Sequence, residues 1–423
     1  MAILCGTDLS AASGAALEVA VALARLRGDL QVTLLHVVDP ELGGDTAAVR
    51  EQAVADARGK LEDQVKQHAG GLDVKLALTA GPPVETLVEA ADKADIDLVV
   101  IAARSTSSAL LRLGGTASKL VAQAPVPVLV VRDPEPWLGF AKKERTLRLM
   151  IGLDDSATCD LSIQWTKALR ALGPVEVLLG AIYYPDEAAE YYGLPAGSFV
   201  DRNPVIEGYM ERDMLRRYGE TKGVAARPRR GLGRIGDHVV ELARDEKVDV
   251  IVVGTSQKSG LGSLGSVSSI IVDDAPQSVV CVPPQAKVTQ LSVPQLRSAL
   301  VATDLSQFAN RAVAYAFAVV DPDPDCQVHV VHIVDEDKEI DEAAVMRSLY
   351  ELAPVGAKQR VSAEIVRGDD AATAIAQCAA RLGVDVICIA SHGRSGITRA
   401  LMGSVADRLL RRTRLPVLVL RPQ

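Results

Sequence analysis

Aromatic side chains are scarce in this chain: four Phe, two Trp and eight Tyr among 423 residues. Its cores must therefore be packed from Val, Leu, Ile and Ala, which the 48% hydrophobic share supplies. Cysteine is sparse, and its spacing pairs nothing. The six thiols at 5, 159, 281, 326, 378 and 388 form no CxxC pair and no Cys/His metal spacing. Cys5, Cys281 and Cys388 sit inside apolar runs, where a thiol behaves as a small buried hydrophobe, and this usage fits a reducing compartment. An excess of positive charge is also missing, since 46 Lys and Arg against 54 Asp and Glu leave a formal charge of −8. That argues against neutralising nucleic-acid phosphate or anionic lipid as the main task. No apolar run approaches the roughly 20 residues of a membrane span. The opening MAILCGTDLS has neither the basic segment nor the long apolar segment of a secretory signal. The expectation is a cytoplasmic protein without a membrane or nucleic-acid partner.

What the chain does contain is a threefold internal repeat. Ile3–Ser10 (ILCGTDLS), Leu149–Ser156 (LMIGLDDS) and Leu300–Ser306 (LVATDLS) each run from apolar residues through Asp-x-Ser into a helical pattern. Three later landmarks match as well, at Asp97 (DLVVIA), Asp249 (DVIVVG) and Asp385 (DVICIA). Three closing segments, ending near Val131, Val282 and Leu420, read as strands entered through a turn or a proline. A period near 150 residues is too long for a solenoid, so each copy is a whole domain: 1–134, 146–284 and 297–423, with linkers near 132–146 and 284–297.

Within each copy, continuous apolar runs alternate with segments of helical spacing, which predicts α/β domains, each a doubly wound, five-stranded parallel sheet of Rossmann-like type. In the third copy the pattern predicts strands at 300–303, 327–334, 360–366, 384–390 and 417–420, with helices at 308–320, 339–352, 371–382 and 404–412. The middle copy departs from this scheme. Its stretch from Tyr183 to Arg230 holds six of the eight Tyr and reads as a local helical elaboration over apolar surface. The run Arg227–Arg234 (RPRRGLGR) reads as a solvated loop before a helix.

In an open parallel sheet, ligands bind beyond the carboxyl ends of the strands where the strand order reverses. If each copy starts in mid-sheet and winds outward twice, its first and fourth strands flank that crevice. The loops concerned in the third copy are Asp304-x-Ser306 and the one from Ala390 through Ser391, His392 and Gly393 to Gly403-Ser404. Glycines let backbone N–H groups approach an anion, and a helix starting at Ser404 offers its positive end. The Asp304 carboxylate can accept from a base amino group or a ribose hydroxyl. The competing structural reading is that Ser306 and Ser404 are N-caps and the glycines only turn the chain. No Walker lysine follows the glycines, no Ser/His/Asp spacing is recognisable, and His392 has no visible partner.

The whole chain resembles three tandem universal stress protein domains. The nucleotide-binding members of that family carry Gly-x2-Gly-x9-Gly-Ser/Thr after the fourth strand. The third copy matches as Ala390-x2-Gly393-x9-Gly403-Ser404, with Ala for the first Gly, beside the family-like SHGRSG and PVLVL segments. The resemblance implies ATP as ligand, with Mg an open addition. Asp304 and Val334 would hold adenine, while Gly393, Gly403, Ser404 and Val405 would cradle ribose and phosphates close to His392. The first copy matches less well, as Ala102-x2-Ser105-x9-Gly115-Thr116 with Asp8 and Val38 in place, and is a weaker second site. The second reads Gly254-x2-Gln257-x7-Gly265-Ser266, two residues short, and is expected to be closed or to hold something different.

A regulatory or scaffold role in stress adaptation follows from the resemblance. A slow ATPase and a nucleotide-free assembly module stay open beside it. Because domains of this family pair through their final strands, three of them leave one unpaired, which implies a homodimer in addition to an unknown protein partner.

Overall fold

The computed structural model describes residues 2–29, 31–38, 47–93, 95–103, 115–195, 203–255, 266–286, 296–320, 322–391 and 403–421. The first repeat runs β1 (Ala2–Thr7), α1 (Ala11–Arg27), β2 (Val32–Val38), α2 (Ala47–His68), β3 (Val74–Ala80), α3 (Pro83–Ala91), β4 (Ile96–Ala102), α4 (Gly115–Gln123) and β5 (Val128–Val131). After α5 (Glu135–Ala141), the second begins with β6 (Leu147–Gly152), α6 (Ala157–Arg170), β7 (Val175–Tyr183), α7 (Pro185–Tyr192) and α8 (Pro204–Tyr218). It ends with β8 (Val224–Arg230), α9 (Ile235–Asp245), β9 (Val250–Gly254), α10 (Ser266–Asp274) and β10 (Ser278–Val282). The third is β11 (Ser298–Ala302), α11 (Gln307–Val319), β12 (Gln327–Val334), α12 (Glu342–Glu351), β13 (Val361–Arg367), α13 (Ala371–Leu382), β14 (Val386–Ala390), α14 (Ser404–Arg412) and β15 (Val417–Leu420).

The expected winding holds in every copy. The third has strand order β13-β12-β11-β14-β15, so its first and fourth strands lie side by side at the reversal point. Apolar runs become strands because their side chains are buried on both faces: Val99, Val100, Val252, Ile387 and Cys388 are fully enclosed. By contacts the chain divides into two compact units, Met1–Ile182 with Met214–Leu291, and Tyr183–Asp213 with Ser292–Gln423.

In the first unit, two repeats share one ten-stranded sheet ordered β3-β2-β1-β4-β5-β10-β9-β6-β7-β8. The joint is antiparallel, Val128 opposite Cys281, Leu129 opposite Val280 and Val130 opposite Val279. The first linker, rich in polar residues and proline by sequence, holds the helix α5, which packs on α1 with Trp137 and Phe140 both fully enclosed. Arg227–Arg230, expected in a loop, instead belongs to β8 at the outer edge of the sheet. An edge strand tolerates Pro228, whose missing N–H would break a central ladder. The guanidinium groups pair with carboxylates, Arg229 with Asp245 at 2.7 Å and Arg227 with Glu246 at 3.2 Å.

In the second unit, the Tyr-rich elaboration does cover apolar surface, but that of the third repeat. Tyr183, Tyr192 and Ile206 cluster with Ala380 of α13. Arg212 donates to the carbonyls of Ala380 at 2.6 Å and Arg381 at 2.7 Å, satisfying the end of α13. Gly383 there adopts φ 69, and a Cβ on it would meet the Arg212 guanidinium at 2.5 Å. Among the described residues, no helix is long and apolar enough to cross a membrane.

All six cysteines are buried and free. Burial pushes the thiols of Cys5, Cys281 and Cys388 up to about 12 and those of Cys159 and Cys378 up to about 11. Native protein at pH 8 should therefore show almost no fast-reacting thiol towards an aromatic disulfide reagent. After denaturation it should show all six.

Candidate functional site

The first and third repeats build the same turn from the same four residues, Thr7–Ser10 and Thr303–Ser306. In the third, Thr303 Oγ1 donates to Asn310 Oδ1 at 2.7 Å and accepts from the Leu305 amide at 3.0 Å. Asp304 Oδ1 accepts from the Ser306 amide at 2.9 Å, and Ser306 Oγ caps α11 by accepting from the Ala309 amide at 3.2 Å. In the first, Thr7 Oγ1 accepts from the Leu9 amide at 2.9 Å, Asp8 Oδ1 from Ser10 at 3.0 Å, and Ser10 Oγ from Ser13 at 3.2 Å. These bonds hold Leu9 at φ 66 and Leu305 at φ 64, a left-handed conformation that strains a side-chain-bearing residue.

Beneath each turn lies a histidine from the second strand. His36 Nδ1 bonds to the Thr7 carbonyl and His332 Nδ1 to the Thr303 carbonyl, both at 2.8 Å. A carbonyl only accepts, so the proton sits on Nδ1 in both rings. Sequence reasoning passed over these two residues. The signal was present, because one offset of 296 residues carries Asp8 onto Asp304 and His36 onto His332.

The far wall of the crevice is the end of β14. The Ser391 amide donates to the Leu420 carbonyl and the Gly403 amide to the Ser391 carbonyl, both at 2.7 Å. The second bond draws together the two ends of the glycine loop and sets the start of α14 beside β14. Gly403 is the N-cap of α14 and brings no side chain to cap it; Ser404 is exposed and Val405 half-buried. The first-turn N–H groups of a helix lack intrahelical partners, and the helix dipole makes that end attractive to an anion. From its other end α14 is held by Asp370, which pairs with Arg408 at 3.0 Å and Arg412 at 3.5 Å. A bond from Thr373, with help from Arg408, holds the Asp370 carboxyl below its usual range.

Asp304, Val334 and Ala390 thus stand at the carboxyl ends of β11, β12 and β14, with Gly403, Ser404 and Val405 opening α14. Val334 is buried, and its carbonyl accepts from the Gly368 amide at 3.0 Å. Asp8, Val38 and Ala102 take the corresponding places in the first repeat, where Gly115 and Thr116 begin α4. His392, Gly393 and Ser105 lie outside the described residues, as do Gln257 and Gly265. A cavity of about 320 Å³ lies beside the crevice, lined by Tyr192, Arg367, Asp370, Gln377, Cys378 and Arg381 among others, and includes none of the expected nucleotide residues. Its two arginines are paired, Arg367 with Glu342 at 2.8 Å and Arg381 with Glu364 at 2.6 Å.

The second repeat uses its turn differently. Leu153 replaces the Thr, and by strand register Ala181 replaces the His. Arg217 of α8 donates to the Asp154 carbonyl, to the Ser156 carbonyl at 3.1 Å and to Asp160 Oδ1 at 2.9 Å. A Cβ on Gly254 would meet Thr158 Oγ1 at 2.5 Å, whereas the other repeats carry Ala102 and Ala390 at that position. Thr158 and Arg217 therefore crowd the loop that follows the first strand of the second repeat.

Burial pushes the Asp8 carboxyl up, but hydrogen bonds from Ser10, together with Ser13, outweigh it and hold the group below its usual range. A depressed carboxyl adds stability above its unfolded value, near 4, and loses it as pH falls through the lower folded value. Asp8→Asn should therefore reduce stability at pH 7 and leave it unchanged near pH 2 (about the acid limit of the titration), measured by urea unfolding across that range.

The sequence profile of the universal stress protein family matches the chain three times, over residues 1–132, 146–283 and 296–421. A universal stress protein from Archaeoglobus fulgidus DSM 4304 has a similar structure, with TM-score 0.50 and 18% identity over 67% of this chain and 96% of its own. UspA from Lactobacillus plantarum is 29% identical over 31% of this chain and 97% of its own, with TM-score 0.26. A universal stress protein solved in complex with cAMP is 21% identical over 30% of this chain and 98% of its own, also with TM-score 0.26. No protein of curated function matches the chain in sequence.

Proposed function

The chain belongs to the universal stress protein family, and from that premise we propose that it binds adenine nucleotide, chiefly ATP, in its third repeat and acts as a nucleotide-responsive scaffold in the cytoplasmic stress response. The observation that carries this reading is the Gly403-to-Ser391 bond, which sets the uncapped start of α14 beside the carboxyl end of β14, next to the Asp304 turn. Asp304 offers an acceptor for the base or ribose. Ser404 and Val405 offer backbone donors to phosphate, Gly403 lets the anion approach without a side chain in the way, and His392 and Gly393 from the segment between complete the cradle. The first repeat, through Asp8, Val38, Ala102, Ser105, Gly115 and Thr116, is a weaker second site. Mg would accompany the phosphates as their counter-ion. Nucleotide changes partner binding only if the partner has different affinities for the loop states with and without it.

Native mass spectrometry of the purified chain with and without MgATP tests the reading directly. One or two nucleotides per chain, with one lost in Gly403→Val, is the expected result, because a branched side chain there blocks the approach of phosphate to the backbone. No bound nucleotide under either condition would leave a packing and interaction module.

The same reading includes a homodimer. β15 ends the five-stranded sheet, and Val417, Leu418 and Val419 are only half-buried, whereas every residue of β5 and β10 is buried where those two strands meet. A free edge of this kind seeks a partner strand. Light scattering should give twice the chain mass at tens of micromolar (roughly the range in which a standard-sized interface assembles); a monomer there would end this part of the reading.

A further inference from the structure

The joint between the first two repeats has a symmetry that its residue numbers conceal. Leu129 pairs with Val100 on β4, Val280 with Val252 on β9, and Leu418 with Cys388 on β14, so these three occupy one position in the three repeats. Across the joint Leu129 faces Val280, and the residues on either side cross over, Val128 to Cys281 and Val130 to Val279. The joint is therefore a quasi-two-fold centred on that one position. Applied to two copies of β15, the same operation sets Leu418 opposite the partner subunit's Leu418.

A second feature lies on the helix layer beside this edge. The offset of 296 residues carries Val19 of α1 onto Tyr315 of α11, and Leu23 onto Val319. On α1, α2 lies to one side: His68 bonds Glu18 at 2.7 Å and crowds Gly14, and Arg25 donates to the Ala69 carbonyl at 3.0 Å. At about 100° per residue, Val19 and Leu23 lie on the opposite side of the helix from Gly14. Both are fully buried, and α5 packs on α1 with its own Trp137 and Phe140 enclosed. Phe140 also stands against Gly173 of the second repeat, so α5 spans the joint. On α11 the equivalent Tyr315 is 43% exposed and Val319 39%, with Ala314 and Ala318 exposed beside them. Among the described residues, no helix covers this stripe as α5 covers α1.

We infer that the stripe Ala314, Tyr315, Ala318 and Val319 is the helix-layer half of a self-association surface and that its occupant is a second copy of this chain. The inference rests on the edge-pairing reading and extends it. When two β15 strands meet at Leu418, the two α11 helices flank a trough over the joint that α5 fills in the first unit. Tyr315, larger than the Val19 it replaces, closes that trough from both copies and does there what Trp137 and Phe140 do between the first two repeats. The continuity of the stripe with the open edge of the same sheet selects a second copy over an unrelated partner.

Sedimentation equilibrium on the full chain tests this with Tyr315→Arg/Val319→Arg, with the milder Tyr315→Ser, and with Leu232→Arg as a control at another exposed apolar residue, 68% exposed. Thermal unfolding checks that each variant is folded, which the exposure of these side chains favours. The expected result is a wild-type dimer whose Kd rises about tenfold or more in the double variant, moves the same way in Tyr315→Ser, and is unchanged by the control. Oxidation of Leu418→Cys should cross-link two copies, against a background of six buried native thiols. A dimer that cross-links at residue 418 but keeps its affinity in both α11 variants overturns the inference and leaves edge pairing standing. A monomeric wild type overturns both.

Discussion

The hydrogen-bonding edge of the last strand is the constraint on which the rest of this structure depends. A parallel sheet wound outward from its centre ends in a strand with one row of N–H and C=O groups unpaired. The first two repeats satisfy each other by joining β5 to β10, and the joint buries both strands completely. That pairing turns two five-stranded sheets into one of ten strands and makes the linker between them a structural element, since α5 must cross the joint. The third repeat, with the same strand order and nearly the same strand sequence, keeps its edge. An odd number of self-complementary edges leaves one over.

The crevices show a division of labour among copies of one fold. In the first and third, a threonine, an aspartate and a serine bond to the backbone around a strained leucine, while a histidine from the next strand holds the threonine carbonyl from below. Such strain persists only where surrounding bonds over-determine it, and it keeps the aspartate at the mouth of the crevice. The second repeat has lost the threonine and the histidine, and its turn receives Arg217 instead. Its long connection after β7 holds the third repeat: the tyrosines pack on α13, and Arg212 closes that helix's carbonyl end. The copy whose turn receives an arginine has taken on architecture.

Much of this was legible in the residues. The third-repeat strands and helices fall within a few residues of where the apolar runs and helical spacing put them, because strands buried on both faces leave an unambiguous pattern. Asp304, Ala390, Gly403 and Ser404 could be placed at one end of the sheet for the same reason. His36 and His332 were missed because a lone histidine in a strand gives no local signal; its role appears only when the strand is set beside the turn it supports. Arg227–Arg230 was misread because arginine and proline are weak strand formers, and only an outer edge, with carboxylates of α9 close by, accommodates them.

The sequence by itself determined three α/β copies, their winding, the family they belong to and the turn that each builds after its first strand. All of these depend on residues near one another in the chain, or on a pattern repeated within it. Only the tertiary structure decided that the first copy pairs with the second, that a linker rich in polar residues holds a helix packed on α1, and that the tyrosines of the second copy serve the third. Those outcomes turn on which surfaces meet across more than a hundred residues of chain. A strand edge or an apolar stripe looks the same in sequence whether it is covered or bare.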